Sequence, residues 1–307
     1  MIEIIKAIFY GIIEGVTEWL PISSTGHLIL FENFWRFNSD EAFIEMYRVV
    51  IQLGAILAVV VMFWPKIWPF GIHSKYKHGG GYALKPQDKL FFGSCVFKWD
   101  IFTLWLKILV ACIPTVIYGV LFDDAVSGFF QKNFAGTDIK IEFLVVTVML
   151  LLVGALFIVI ENRNKHRTPT VTATADISYK AALIIGAFQV VAAALPGTSR
   201  SGATILGALI IGIARPAAAE FTFYLAIPVM FGASLLKGLK YVASGAVISS
   251  TEIAVLAVGC IVAFLVSIFV IKFLMSYIKK HDFKAFGWYR IVLSAVLIAY
   301  LLFTVLA

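Results

Sequence analysis

Two carboxylates four residues apart, Glu14 and Glu18, interrupt an apolar run that leads into the turn Pro21-Ile22-Ser23-Ser24-Thr25-Gly26-His27. On a helix this spacing places both acids on one face, about one turn apart. In a poorly solvated place they repel, so either one keeps a proton or a cation lies between them. Mg²⁺ favours one or two carboxylates completed by phosphate oxygens, with Ca²⁺ the second candidate. The bland reading is a pair that snorkels to the interface or bonds to neighbouring helices. At this depth in an apolar segment, function is the default reason for an ionisable group.

Ser23, Ser24, Thr25, Gly26 and His27 open onto a helix N-terminus, whose free N–H groups and dipole attract anions such as phosphate. His27, in the first turn, can act as acid, base or nucleophile near neutral pH. Ser24 is a candidate nucleophile, although Ser24 or Thr25 could equally serve as the helix cap. A second stretch, Gly186 to Leu206, repeats the pattern. At a constant offset of 175, Gly11 falls on Gly186, Glu14 on Gln189, Leu20 on Leu195, Pro21 on Pro196 and Ser24 on Ser199. Its turn, Gly197-Thr198-Ser199-Arg200-Ser201, offers flexible backbone, three hydroxyls and one guanidinium. Arg200 is the only basic residue between Lys180 and Arg215. A planar fork set so deep binds phosphate or pairs with Glu14 or Glu18. Thr204 shares its helix face. Gln189 is the neutral counterpart of Glu14 and a further substrate-binding candidate, while Ala193 replaces Glu18. The first half thus carries acid and base, the second an anion clamp. Glu220, aligned with Glu45, is a candidate for fixing the second hairpin.

The elements that must position these groups are membrane helices. The chain has 307 residues, 61% of them hydrophobic and 14% charged, which no soluble domain of this length matches. A net charge of +7 does not indicate nucleic acid, because the basic residues cluster in loops between apolar runs. Cys95, Cys112 and Cys260 are scattered, implying neither a disulfide framework nor a metal knuckle. The N-terminal run is not expected to be a cleavable signal, since Glu3, Glu14 and Glu18 interrupt it.

The expected fold is an all-α polytopic membrane protein with an inverted-topology repeat, six transmembrane helices and two re-entrant helical hairpins. The first repeat, 1–160, holds a hairpin at 2–36 and spans at 42–64, 101–122 (kinked at Pro114) and 140–160. Its loop 65–100 is basic and Gly-rich, with room for an amphipathic piece. A linker follows at 161–177. The second repeat, 178–307, holds a hairpin at 178–213 and spans at 217–238, 251–275 and 286–306. Irregular backbone at membrane depth is tolerated where it lines a cavity, which is what two broken helices provide. Loops 65–100, 161–180, 214–216 and 276–290 carry fifteen basic residues against seven on the other side. That bias puts them in the cytoplasm and brings hairpin 1 in from outside. The spatial expectation is that Arg200 comes within a phosphate's width of His27 and the acidic pair.

With these residues in hand, the chain resembles the undecaprenyl-diphosphatase, or bacitracin-resistance protein, family. The resemblance rests on EGVTEWLPISSTGHL (14–28), VVIQLGAILAVVVMFW (49–64), LPGTSRSGATI (195–205) and EFTFYLAIPVMFGA (220–233). It implies a phosphatase of the bacterial inner membrane that hydrolyses undecaprenyl diphosphate and recycles the lipid carrier for peptidoglycan. The family's carboxylate motif maps to Glu14 and Glu18, its serine and histidine to Ser24 and His27, and its arginine motif to Ser199, Arg200 and Thr204. Dependence on a divalent cation is likewise what the resemblance implies. Arg48 departs from the pattern, standing where an acidic residue is expected. The active site is expected to face outward, with loop 65–100 cytoplasmic and a homo-oligomer left open. The rival reading is a transporter or flippase of a prenyl phosphate, since inverted repeats with broken helices are a transporter design. Paired carboxylates beside hydroxyl and imidazole favour chemistry over carriage.

Overall fold

A computed structural model describes residues 1–72, 89–92, 95–122 and 141–306. Helix α1, Ile2–Thr17, ends where the Glu18–Ser23 turn begins, and α2, Ser24–Trp35, returns from it. The expected span at 42–64 is two nearly continuous helices, α3 Glu41–Val50 and α4 Gln52–Ile67, with Pro65 in the last turn of α4. Asp40 caps α3 by accepting from Phe43 N–H at 2.6 Å. In the described part of the 65–100 loop three short strands appear, β1 Phe70–Ile72, β2 Lys89–Phe92 and β3 Cys95–Phe97, and of the expected amphipathic piece residues 73–88 lie outside the described residues. The strands form an antiparallel sheet in the order β1-β3-β2.

Helix α5, Trp99–Leu121, runs through Pro114, and the expected connector 123–138 lies outside the described residues. Helix α6, Ile141–Asn164, extends into the expected linker. The linker is tied down by a bridge between Val171 and Ile213 and a 3-10 turn at Thr174–Asp176. Then come α7 Tyr179–Ala194, α8 Arg200–Ile210, α9 Arg215–Ala243, α10 Ser250–Tyr277 and α11 Lys284–Leu306. Ser249 and Glu252 form a reciprocal capping box at the start of α10, satisfying N–H groups the first turn would otherwise orphan.

Among the described residues, six helices are long and apolar enough to cross a bilayer: Glu41–Ile67, Trp99–Leu121, Phe143–Asn164, Arg215–Ala243, Ser250–Tyr277 and Lys284–Phe303. Helices α7 and α8 are apolar but too short. Leu109, Ile113, Val116 and Val120 on α5, and Ile261, Leu265, Phe269 and Phe273 on α10, are exposed. Faces this apolar are covered by lipid. The chain is therefore a multi-pass membrane protein.

The halves interlock. Helix α1 packs along α10, and α7 packs along α5, so each first hairpin arm lies against a span of the opposite half. A glycine permits each approach. A Cβ on Gly11 would sit 2.8 Å from Gly259 O of α10, and one on Gly186 would sit 2.1 Å from Ala111 O of α5. Small residues let helix backbones meet closely in lipid, where no hydrophobic drive separates inside from outside. The shared core runs from Trp19 through α4, α8 and α9 to Ile271 and Phe283.

Two expectations about polar residues change. Arg290 is no loop residue: it lies in α11 and is fully buried, which leaves fourteen basic residues on its side of the tally against seven. Glu220 meets Lys66 of α4 at 3.0 Å and accepts from Tyr224 at 2.6 Å, so it ties α9 to α4 rather than holding the second hairpin.

Candidate active site

The two turns share a backbone design. Ser23 and Ser199 each cap the following helix, accepting from Gly26 N–H at 3.3 Å and Gly202 N–H at 3.1 Å. Both adopt left-handed backbone, φ 78° and φ 71°, the only non-glycine residues among those described that do. Such conformations cost about 1–3 kcal/mol and cluster at functional sites. The structural equivalence is therefore Ser23 with Ser199, not Ser24 with Ser199: the constant offset fails by one residue after the prolines. Gly197, at φ 88°, takes up the extra residue in the second turn. A side chain there would also strike the α6 backbone at Val146.

Because Ser23 caps, neither Ser24 nor Thr25 is needed for that role. The Ser24 hydroxyl instead donates to Glu18 Oε2 at 2.6 Å. Arg200 Nη2 donates to Glu18 Oε1 at 2.8 Å, and its Nη1 to Thr222 O at 3.0 Å. Both partners of the Glu18–Arg200 pair are almost wholly buried. Arg200 also lies 5.8 Å over the Trp19 ring, a cation–π contact that keeps the fork flat. Ser201 donates to Glu18 O at 3.1 Å, stitching the second turn to the first. Thr204 donates to Arg200 O at 2.9 Å and accepts from Thr222 at 2.9 Å, so it braces the arginine rather than adding a free hydroxyl. Ser199 and Ser201 hydroxyls lie 3.1 Å apart, and Thr198 bonds back to Leu195 O at 2.7 Å.

Glu14 sits one turn before Glu18 and is completely buried. Among the described residues, neither of its carboxylate oxygens finds a hydrogen-bond partner, and nor do Arg200 Nε or Trp19 Nε1. An unpaired carboxylate in an apolar surround demands a proton or a cation, and an unpaired guanidinium N–H demands an acceptor. The unmet groups are thus complementary to a cation and an anion together. No cluster of three or more metal-ligating side chains exists among the described residues. The donor set is one free carboxylate beside one already committed to Arg200 and Ser24. That fits Mg²⁺, which keeps waters and takes phosphate oxygens, better than Ca²⁺, which needs six to eight oxygen ligands.

His27 is positioned through both ring nitrogens. Nδ1 lies 2.7 Å from Ser23 O and Nε2 lies 2.7 Å from the Tyr289 hydroxyl. A carbonyl can only accept, so Nδ1 carries the proton and Nε2 accepts from Tyr289. The two rings stack with centroids 5.7 Å apart. Gln189, by contrast, turns to α5, donating to Thr115 at 2.8 Å. The structure does not bring it to the two turns.

Sequence reading missed Tyr289 and Arg290. Arg290 reaches both turns, donating from Nη1 to Pro21 O at 3.0 Å and from Nη2 to Gly197 O and Thr198 O at 2.8 and 3.0 Å. The signal that could have found it is its place in the apolar run Phe286–Leu302, within the expected 286–306 span although the 276–290 loop count also includes it. Arg48, the departure from the expected pattern, pairs with Glu32 and so fastens α3 to α2.

An apolar cavity of about 430 Å³ opens beside the first turn, lined by Thr17, Leu20, Ile22, Phe273, Phe286 and Tyr289.

Comparison with known proteins agrees along the chain. An undecaprenyl-diphosphatase of Enterococcus faecalis is 55% identical over 297 residues, covering 97% of this chain and 96% of that protein. An undecaprenyl-diphosphatase of Acetivibrio thermocellus is 51% identical over 302 residues, covering 98% and 99%. Undecaprenyl-diphosphatase 1 of Clostridium acetobutylicum is 50% identical over 301 residues, covering 98% of each. The family described as "Bacitracin resistance protein BacA" matches residues 7–296, and the chain belongs to that family.

Proposed function

We propose that this protein is an integral membrane phosphatase that hydrolyses undecaprenyl diphosphate to undecaprenyl phosphate and inorganic phosphate. The observation that carries the reading is the Ser24–Glu18–Arg200 chain, at 2.6 and 2.8 Å: a hydroxyl on a carboxylate base, oriented by a guanidinium. That is the generalised logic of an activated nucleophile. Family membership and the relatives' activity support the substrate.

Ser24 Oγ attacks the terminal phosphorus as Glu18 takes its proton. The bond between that phosphorus and the bridging oxygen breaks, and the oxygen leaves on the prenyl monophosphate. Water then cleaves the phosphoserine, with Glu18 returning the proton to Ser24. His27 lies one turn beyond Ser24 on the same face. With Nδ1–H held by Ser23 O, its unprotonated Nε2 is the nitrogen that takes the proton of the water that cleaves the phosphoserine. The N–H groups of Ser24 and Thr25, and of Arg200 and Ser201, have no intrahelical acceptor. Converging from two helix N-termini, they suit the phosphate oxygens. Arg200 Nε supplies a further donor. Glu14, whose oxygens stay free of hydrogen bonds, would hold Mg²⁺, which when bound offsets phosphate charge. Catalysis here is mainly positioning and charge stabilisation.

The first isoprene units fit the apolar cavity beside Leu20, Ile22 and Tyr289, and the remainder of the tail lies in lipid. The same reading places the protein in the bacterial inner membrane as an inverted repeat, the two hairpins entering from opposite faces and the site open to the outside.

The test is phosphate release from undecaprenyl diphosphate by detergent-solubilised protein, where carriage between compartments is impossible. Wild type should turn over, while Ser24→Ala should fall about 1,000-fold or more. Near-wild-type turnover by folded Ser24→Ala removes Ser24 as nucleophile. Absence of phosphate release from the wild-type protein in Mg²⁺ restores the carrier reading.

A further inference from the structure

Among the described residues Arg290 is the largest charged side chain that is fully buried, at 0% exposure, and the mechanism above gives it no task. A charge so placed is costly unless its donors are all used. Its acceptors are backbone carbonyls: Pro21 O of the first turn, Gly197 O and Thr198 O of the second, and, at 3.4 and 3.5 Å, Met149 O and Leu150 O of α6. One rigid fork therefore measures the gap between the two catalytic turns and references both to α6. The preceding residue, Tyr289, meets His27 Nε2 at 2.7 Å and stacks on its ring. Helix α11 itself is anchored to α6, through Ser294 donating to Thr147 O at 2.9 Å and through Gly154 and Gly287, which face one another so closely that a Cβ on either would approach the other's carbonyl to 2.8 Å. The hairpins share no covalent frame near the site, since they lie far apart in sequence. Something must hold Glu18 and Ser24 in register with Arg200 against thermal drift.

We propose that α11 is the alignment element of the active site: Arg290 fixes the two turns against each other, and Tyr289 fixes the tautomer and orientation of His27. Both are positioning residues. Neither supplies a group to the phosphate. The inference rests on the Ser24–Glu18–Arg200 reading of the site.

The test compares Arg290→Lys, Tyr289→Phe and Ser24→Ala with wild type, measuring kcat, KM for undecaprenyl diphosphate and thermal melting in detergent with Mg²⁺. Lysine keeps the charge but cannot bridge both turns. Displacement of a reacting group by an ångström is enough for a hundredfold loss, so Arg290→Lys should lower kcat about 100-fold while KM stays within threefold. Tyr289→Phe keeps the ring that lines the tail cavity and loses only the hydroxyl, so kcat should fall about tenfold with KM unchanged. A residue that merely lines the cavity would move KM instead. Wild-type kcat in folded Arg290→Lys, or a loss no larger than the loss of folded protein, overturns the assignment of Arg290. Failure of Arg290→Lys to fold does so as well, marking it as structural. Unchanged kcat in Tyr289→Phe overturns that of Tyr289. Full activity in Ser24→Ala, alongside impaired Arg290→Lys, would instead sink the nucleophile while leaving the alignment role standing.

Discussion

At the residue scale, Glu18 and Glu14 show how neighbours divide labour between identical side chains. Glu18 is saturated by Arg200 and Ser24, whereas Glu14, one turn earlier, has no hydrogen-bond partner among the described residues. In the proposed mechanism the first is the base and the second the group that would take a cation. Chelation should abolish phosphate release, and Mg²⁺ should restore it. In Glu14→Gln the Mg²⁺ concentration for half-maximal rate should rise about tenfold or more, since the one uncommitted anionic ligand is lost. An unchanged Mg²⁺ requirement in that variant would detach Glu14 from the metal. Arg200 serves Glu18 and Thr222 O while keeping Nε spare. Lysine, a point charge, cannot serve all three. Arg200→Lys should lower kcat/KM about 100-fold, roughly 3 kcal/mol, read by the same phosphate assay.

At the element scale, each broken helix is held by a span of the other half, and the contact tolerates nothing larger than hydrogen at its closest point. Gly186→Ala would place a Cβ 2.1 Å from Ala111 O. The backbones of α5 and α7 must part, at a cost of about 1–3 kcal/mol or more. A lowered melting temperature in detergent, with little change in KM for whatever protein remains folded, is the expected result. An unaltered melting curve would mean the two helices slide freely. The strained serines matter at the same scale. Ser23 and Ser199 cap α2 and α8 from left-handed backbone, so the two helices begin from the same local geometry.

At the scale of the whole molecule, the interlock of halves makes the site a product of topology. The excess of basic residues around the 161–177 linker and the α10–α11 turn predicts that this face is cytoplasmic. Residue Val247, exposed between α9 and α10, belongs to the opposite face. In intact cells a membrane-impermeant maleimide should label Val247→Cys and spare Lys165→Cys until the membrane is opened, on a background lacking Cys95, Cys112 and Cys260. The reverse pattern would turn the site inward and require the substrate to be taken from the cytoplasmic leaflet.

Composition and periodicity by themselves determined the membrane class, the six spans and the shorter apolar helices between them, because a bilayer imposes length and apolarity on each helix independently. The Glu14–Glu18 spacing, the hydroxyl-rich turns and Arg200 were legible for the same reason: ionisable groups stand out against an apolar background. What chain order could not decide was which serine caps and which bonds Glu18, because the two turns differ by a single residue absorbed by Gly197 at positive φ. Nor could it place Arg290 or Tyr289 beside the turns. A cation near a helix end reads as a loop charge until tertiary packing shows three backbone carbonyls from two distant turns converging on one guanidinium.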